Sequence, residues 1–351
     1  MGSYQNDLVI GIDLGDKHGQ VCMLNLSTGE LAEDRVTMTP KGIRRFFRAV
    51  ETRLVAIEVG THSRWVSHTL EELGVPVVVA NPRRLQLISK SDSKNDRTDA
   101  ELLARLASVD PKLLAPIHHR SDQAQADLAM LKTRDNLIKA RTAMVNQVRG
   151  MAKAFGFRLR KCGAASFPRH VFEDIPAVLM PAVSPLLEAI ESQTRLVKNL
   201  DRQVTRLCEE RYPETRHLLQ VYGVGPLTAL AFILVIEDPH RFEKSRSVGA
   251  FLGLRPRQSD SGRIQKQLRI TKAGDSFLRS LLVQCAQYIL GPFGQDCDLR
   301  RWGHSLALRG GKNAKRRAVV AVARKLSTIL HRLWVSGAEY QPLRSQTEAA
   351  A

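Results

Sequence analysis

The stretch Leu8-Val9-Ile10-Gly11-Ile12-Asp13-Leu14 decides how the first third of the chain folds. It is an apolar run with one acid near its end, the pattern of a strand buried on both faces. The turn residues Gly15 to Gly19 follow it. A second strand signal runs from Gln20 to Leu26, and a third from Leu31 to Met38 after Ser27-Thr28-Gly29. Helix and strand then alternate: helix from Lys41 to Val50, strand from Leu54 to Val59, helix from Ser63 to Leu73, and buried strand from Pro76 to Ala80. A three-strand meander followed by such alternation predicts an α/β domain, a mixed sheet covered by helices.

Beyond this domain the period lengthens. Leu128, Leu131, Leu137, Ile138, Met144 and Val148 recur at helical spacing between Ser121 and Gly156, and a second helix runs from Val183 to about Glu210. Two long helices around a Gly- and Pro-broken loop describe an antiparallel hairpin, possible as a coiled coil; a plain helical linker fits the same pattern. From Tyr212 the chain reads as short helices rich in Lys and Arg, and Leu218 to Leu230 reads as helix, Gly-Val-Gly turn, helix. The organisation expected is therefore an α/β domain over 1–115, a helical hairpin over 116–211, a mainly α-helical basic domain over 212–335, and a disordered tail over 336–351.

Charge narrows the function. The 351 residues carry a net charge of +18, but unevenly: residues 1–110 hold 14 basic and 15 acidic residues, whereas 241–334 hold 20 and 5. A neutral domain joined to a strongly basic one points to a polyanion, DNA or RNA. Five scattered cysteines without a CxxC pair indicate neither a disulfide framework nor a zinc site. The longest apolar run, Leu227 to Ile236, is too short to span a bilayer, and no signal peptide is evident, so a cytoplasmic protein without a membrane partner is expected.

Four acids in the first domain suggest a metal. Asp13 ends the first strand, Glu58 sits in the apolar strand Leu54 to Val59, and Asp96 and Asp99 lie three apart at a helix start, on one helical face. Acids from these elements can converge at one edge of a sheet. There they would repel one another unless cations intervene, and oxygen-only ligands suit Mg²⁺ or Mn²⁺, as two ions able to orient a phosphodiester. Taken singly, Asp96 and Asp99 also fit helix-capping roles and Asp13 a turn. Glu58 is harder to account for otherwise, because an unpaired carboxylate is costly to bury.

The Gly11-Ile-Asp-Leu-Gly15 start, the Glu58 strand and Lys94-Asn-Asp-Arg-Thr-Asp-Ala100 resemble the DEDD, RuvC-like (RNase H-like) domain of the one-ten family of insertion-sequence transposases, which includes a pilin-gene-inverting recombinase. The later part is similar to that family's second domain. The residues that carry this likeness are Val221-Tyr-Gly-Val-Gly225, Phe251-Leu-Gly-Leu-Arg-Pro256, Ser261-Gly262, Ile270-Thr-Lys-Ala-Gly-Asp275, Leu278-Arg279, Gly311-Lys312 and Ala323-Arg-Lys-Leu326. The resemblance implies that Asp13, Glu58, Asp96 and Asp99 are metal ligands. It also implies that a serine attacks DNA to form a 5′-phosphoserine link, and that a noncoding bridge RNA pairs with target and donor DNA.

By position the serine is Ser261, with Ser259 two residues away as the alternative; from the residues alone, Ser261-Gly262 also reads as a turn. No His/Asp pair lies near Ser261, so its activation would come from the metal site of the first domain. The two domains must then meet, within one chain or between subunits, which favours a homo-oligomer, a dimer or tetramer.

Nucleic-acid contacts are expected from Gly223 and Gly225 of the Gly-Val-Gly turn, through backbone amides. They are also expected from Arg255, Arg257, Arg263, Lys266, Arg269, Lys272, Arg279, Lys312, Lys315, Arg316 and Arg317. Aromatic residues in the basic segment are dispersed, unlike a stacking platform for single strands. Rival readings share many of these residues: a junction-resolving nuclease that uses water at the DEDD site or a site-specific DNA invertase that uses the same site, and a non-catalytic nucleic-acid-binding protein.

Overall fold

The computed structural model describes residues 7–81, 95–261 and 264–344, with the backbone alone at 258–261 and 264–267. The chain divides into two compact units, up to Arg120 and from Ser121 on.

In the first unit, β1 (Leu8–Asp13), β2 (His18–Asn25) and β3 (Leu31–Thr37) form the meander. β4 (Leu54–Glu58) and β5 (Val77–Ala80) add parallel strands on the other side of β1. The order among the described residues is β3-β2-β1-β4-β5, the mixed sheet of an RNase H-like domain, as expected. Helices α1 (Pro40–Ala49) and α2 (Ser63–Glu72) accompany one face, where Ile10, Ile12, Val55 and Ile57 pack with Ile43, Phe47, Val66 and Leu70. Helix α3 (Asp96–Val109) covers the other, where Val9, Ala56, Val78 and Ala80 pack with Leu103 and Ala107. Strand alternation sends successive residues to opposite faces, so both sides of β1 and β4 are apolar, which explains their continuous hydrophobic runs.

The second unit begins with the long helix α4 (Asp122–Ala154) and includes the short α5 (Phe167–Val171) and the long α6 (Met180–Glu210). Arg134 pairs with Asp201, and Arg141 donates to Thr194 at 3.2 Å, so α4 and α6 run antiparallel as a hairpin. The hairpin has two separate cores. At its tip, Val145, Val148 and Ala152 pack with Leu159, Phe167, Val171, Leu187 and Ile190.

At its root, Leu128, Leu131, Val204 and Cys208 join the core of α7 (Thr215–Leu219), α8 (Pro226–Ile236), α9 (Arg246–Phe251), α10 (Ser276–Leu290), α11 (Asp298–Leu308) and α12 (Ala314–Ser336). Every residue of α8 from Thr228 to Ile236 is buried, so the apolar run too short for a bilayer is the central helix of this core. No described helix is long and apolar enough to cross a membrane.

The buried carboxylate of Asp127 ties the root together. It accepts from Arg211 at 3.0 and 3.2 Å, from the Tyr212 hydroxyl at 2.7 Å and from Gln123 at 3.2 Å. The helical hairpin and the basic C-terminal part thus share a core, and no division falls near residue 211.

The tail corrects a second expectation. Residues 337–344 do not stand off as disordered chain: the Tyr340 amide donates to Gln220 at 2.8 Å, its ring packs on Tyr222, and the Pro342 carbonyl accepts from Asp298 at 2.7 Å. The burial of one aromatic ring in the root core is what holds it. Residues 345–351 lie outside the described chain.

Candidate active site and nucleic-acid interface

Asp13 and Glu58 end neighbouring parallel strands. The register pairs Ile12 with Ile57, so the two acids occupy adjacent positions at the strands' carboxyl ends, about 4.8 Å apart by ordinary strand spacing. Alternation puts Asp13 on the face of Val9 and Gly11, and Glu58 on that of Ala56, which is the α3 face. Both are half-buried.

Gly11 brings α3 against this edge. A Cβ there would lie 2.0 Å from the Ala100 carbonyl oxygen and 2.6 Å from the Ala104 amide nitrogen. The helix therefore crosses β1 backbone to backbone, a closeness only glycine permits. Its later residues Leu103 and Ala107 meet Val9, and its middle meets Gly11, so its first turn, with Asp96 and Asp99, is directed toward the Asp13 end.

Asp96 is exposed and Asp99 is 7% exposed. The cap of α3 is Asn95, whose side chain accepts from the Arg97 amide at 3.2 Å. Capping, one of the alternatives for the two aspartates, thus belongs to their neighbour.

The topology sets Asp13 beside Glu58 at the carboxyl end of one sheet face, with the first turn of α3, which bears Asp96 and Asp99, directed toward that end; carboxylates alone are the donor set of a hard divalent cation. The side chains themselves are not drawn into a cluster: among the described residues, no three His, Cys, Asp or Glu side chains stand close enough to share an ion. Asp13, Glu58 and Asp99 each have other interactions.

In the second unit, the motifs carrying the family resemblance meet in space. Strands β6 (Pro256–Ser261) and β7 (Ile264–Ile270) form an antiparallel hairpin that turn signals alone did not reveal. Ser261 pairs with Ile264 at its far end, and Ser259 pairs with Lys266. Ser261 thus ends β6 at the far end of a two-stranded arm. Gly262 and Arg263 are outside the described residues, as are the side chains of Ser259, Ser261 and Lys266.

The arm's base is a clasp. Thr271 donates to the Arg255 carbonyl at 2.9 Å, and Lys272, itself at φ 55°, donates to that of Gly253 at 3.1 Å. Gly253 and Gly274 both have positive φ, and a Cβ on either would lie 2.1 Å from a carbonyl oxygen of the opposite strand of the clasp. Arg279 completes it, donating to the carbonyls of Leu252 at 3.1 Å and Ala273 at 2.8 Å. The half-buried guanidinium of Arg279 thus helps to hold the arm.

Arg255, Arg257, Arg269 and Lys272 are exposed along the arm. Lys312, Lys315, Arg316 and Arg317 are exposed around the start of α12, which has no acid in its first turn and no side-chain cap. Gly223 closes the turn between α7 and α8 at φ +82°, packed on Tyr288 and Ile289, while a Cβ on Gly225, the N-cap of α8, would meet nothing within 4 Å.

Comparison with known proteins agrees with both halves. Residues 10–156 match the DEDD transposase domain, and residues 215–294 match the domain described as Transposase IS116/IS110/IS902 family. The chain is similar to a probable family 20 transposase of Pseudomonas aeruginosa, 30% identical over 95% of this chain and 98% of that one. It is also similar to the transposase for insertion sequence element IS1111A of Coxiella burnetii (28%, covering 92% and 88%) and to a pilin gene-inverting protein of Moraxella bovis (26%, covering 79% and 78%). With two domain matches in order and a relative aligned along nearly its whole length, the chain belongs to the IS116/IS110/IS902 family of transposases, enzymes that cleave and transfer DNA.

Proposed function

We propose that the chain is the recombinase of a bacterial insertion sequence, that Ser261 is its nucleophile, and that Asp13, Glu58, Asp96 and Asp99 together hold its metal. A DEDD domain implies a divalent metal; as one or two Mg²⁺ or Mn²⁺ ions it would polarise the phosphodiester and stabilise the attacking and leaving oxygens. What supports the reading is the register that sets Asp13 beside Glu58, together with the contact of Gly11 with α3, the helix that bears Asp96 and Asp99.

The chain's own part in the reaction is to supply the nucleophile and to position the phosphate. The Ser261 hydroxyl attacks phosphorus, the Oγ–P bond forms, and the bond from phosphorus to the 3′ oxygen breaks, that oxygen taking up a proton. A 3′ hydroxyl of another strand then attacks the phosphoserine and releases the serine, so no outside energy source is needed. Arg255, Arg257, Arg263, Lys266 and Arg269 would neutralise the phosphate as charge builds.

Lys272 and the Lys312 to Arg317 cluster, with the backbone of Gly223 and Gly225, would track phosphates without reading sequence. Target choice then falls to base pairing with a bridge RNA, and the working form is a homo-oligomer.

Strand cleavage on DNA carrying the element's junction, with RNA transcribed from its flanks, tests the reading. Cleavage is expected in Mg²⁺, and its loss in Asp99→Asn and in Ser261→Ala. Cleavage retained in Ser261→Ala would replace the serine step with a water-using nuclease; binding without any metal-dependent cleavage would leave only a binding protein.

A further inference from the structure

The tip of the helical hairpin is strongly cationic. From Asn136 to Phe172 the chain carries eight Lys or Arg residues and no Asp or Glu. Some of these cations serve the fold. Arg149 donates to the carbonyls of Leu159 and Arg160 and lies over the Phe167 ring, and Arg160 makes a two-pronged bond to Asp174. Lys153, Arg158 and Lys161 are exposed and make no ion pair with a described residue.

Among them stand three aromatic rings the core does not use, Phe155, Phe157 and Phe172, of which the first two lie within three residues of one another. Phe155 ends α4 and Phe157 follows Gly156, which turns the chain at φ +84°; they are 53% and 48% exposed. The tip core of Val148, Leu159, Phe167, Val171 and Ile190 closes without either ring. Burying a phenylalanine is worth roughly 2 kcal/mol to a fold, so two left in water within three residues are better explained by a ligand than by packing.

We propose that this tip binds an unpaired DNA strand, with Phe155 and Phe157 stacking on bases and Lys153, Arg158 and Lys161 holding the phosphates. The proposal rests on the reading that the protein acts on DNA. Rings beside cations are the elements of single-strand recognition, because every base has a stacking face and every linkage a charge. They are also what the arm and the α12 cluster lack. A second copy of the tip would bring the same positive charge against itself, since only Glu173 and Asp174 follow to offset it, and Asp174 is already held by Arg160. A polyanion is the complementary partner.

Fluorescence anisotropy of the full chain with a 12-nucleotide oligo-dT, beside a duplex of arbitrary sequence, decides the matter. Phe155→Ala with Phe157→Ala should weaken oligo-dT binding about tenfold for each ring, and the duplex by less than about twofold. Phe155→Leu with Phe157→Leu keeps the apolar bulk, and should lose the same affinity with the melting temperature unchanged. Replacing Lys153, Arg158 and Lys161 by Gln should flatten the slope of log K against log salt by about 2, at about 0.7 per contact.

Oligo-dT affinity unchanged in both phenylalanine variants would overturn the proposal. So would loss of self-association in the same variants without DNA, which would assign the tip to a second copy, or binding of oligo-rU with none of oligo-dT. If duplex binding and metal-dependent cleavage persist while oligo-dT is insensitive to the tip, the tip proposal alone fails; if no DNA is bound in any form, the functional reading fails first.

Discussion

Replacing Gly11 by Ala tests the proposal that the close approach of α3 to β1 sets the four acids as one metal site. The new Cβ would sit 2.0 Å from the Ala100 carbonyl oxygen, where ordinary contact begins at 3.4 Å, so the helix must withdraw from β1 by up to about 1.4 Å. Asp96 and Asp99 ride on that helix, while Asp13 and Glu58 ride on the sheet. A misplacement of about 1 Å between groups that act together costs on the order of a hundredfold in rate. Overpacking itself costs about 1–3 kcal/mol, which leaves a domain of this size folded.

Gly29→Ala is the matched control. Gly29 has φ +75° with nothing within 4 Å, so its substitution costs about 1 kcal/mol of backbone strain and touches no acid. Metal-dependent cleavage and thermal unfolding, measured on both variants, separate lost geometry from lost stability. Gly11→Ala should cleave about a hundredfold more slowly while Gly29→Ala stays within twofold of the parent. Near-normal cleavage by Gly11→Ala would refute the claim that α3 and the sheet share one metal site.

Three further outcomes follow from particular contacts. Asp127→Asn should destabilise the second unit by about 2 kcal/mol in urea unfolding, because Arg211 and Tyr212 lose a shared, largely buried charged acceptor. Arg279→Gln should destabilise by a similar amount yet leave the salt slope of duplex binding unchanged, whereas Gln at Lys312, Lys315, Arg316 and Arg317 should flatten that slope by about 3–4, at about 0.9 per phosphate. His119 is held below its ordinary pKa of 6.5, first by burial and then by Arg64. The unfolded chain therefore takes up this proton first on acidification, so stability present above about pH 6.5 is lost as pH falls below it; His119→Gln should flatten the loss in thermal melts.

The strands of the first unit were legible because burial on both faces leaves an unbroken apolar run, as in Leu8 to Leu14 and Pro76 to Ala80. The acids stood out against that background, Glu58 above all. The approach of their helix to the sheet was not legible: Gly11 matters through the backbone of Ala100 and Ala104, almost ninety residues on, and no local pattern encodes that approach.

The structural contact of Arg279 is hidden from the sequence for a related reason. Its composition is that of a phosphate ligand, and only the clasp of Gly253 and Gly274 supplies the carbonyls that occupy it. The β6–β7 arm escaped notice because Arg257, Gln258, Lys266 and Gln267 give it no alternating apolar face. The Tyr340 contact escaped because one ring in a polar tail has no periodicity to betray it.

The covalent step is the sharpest test of the whole account. Protein, Mg²⁺, junction DNA labelled on the 5′ side of the cut's downstream strand, and flank RNA are incubated, the mixture is denatured and digested with protease, and the DNA-bearing peptide is identified by mass spectrometry. The account predicts a 5′-phosphate ester on Ser261, absent without metal and absent in Ser261→Ala. Cleaved DNA with a free 5′ phosphate and no peptide attached would contradict it.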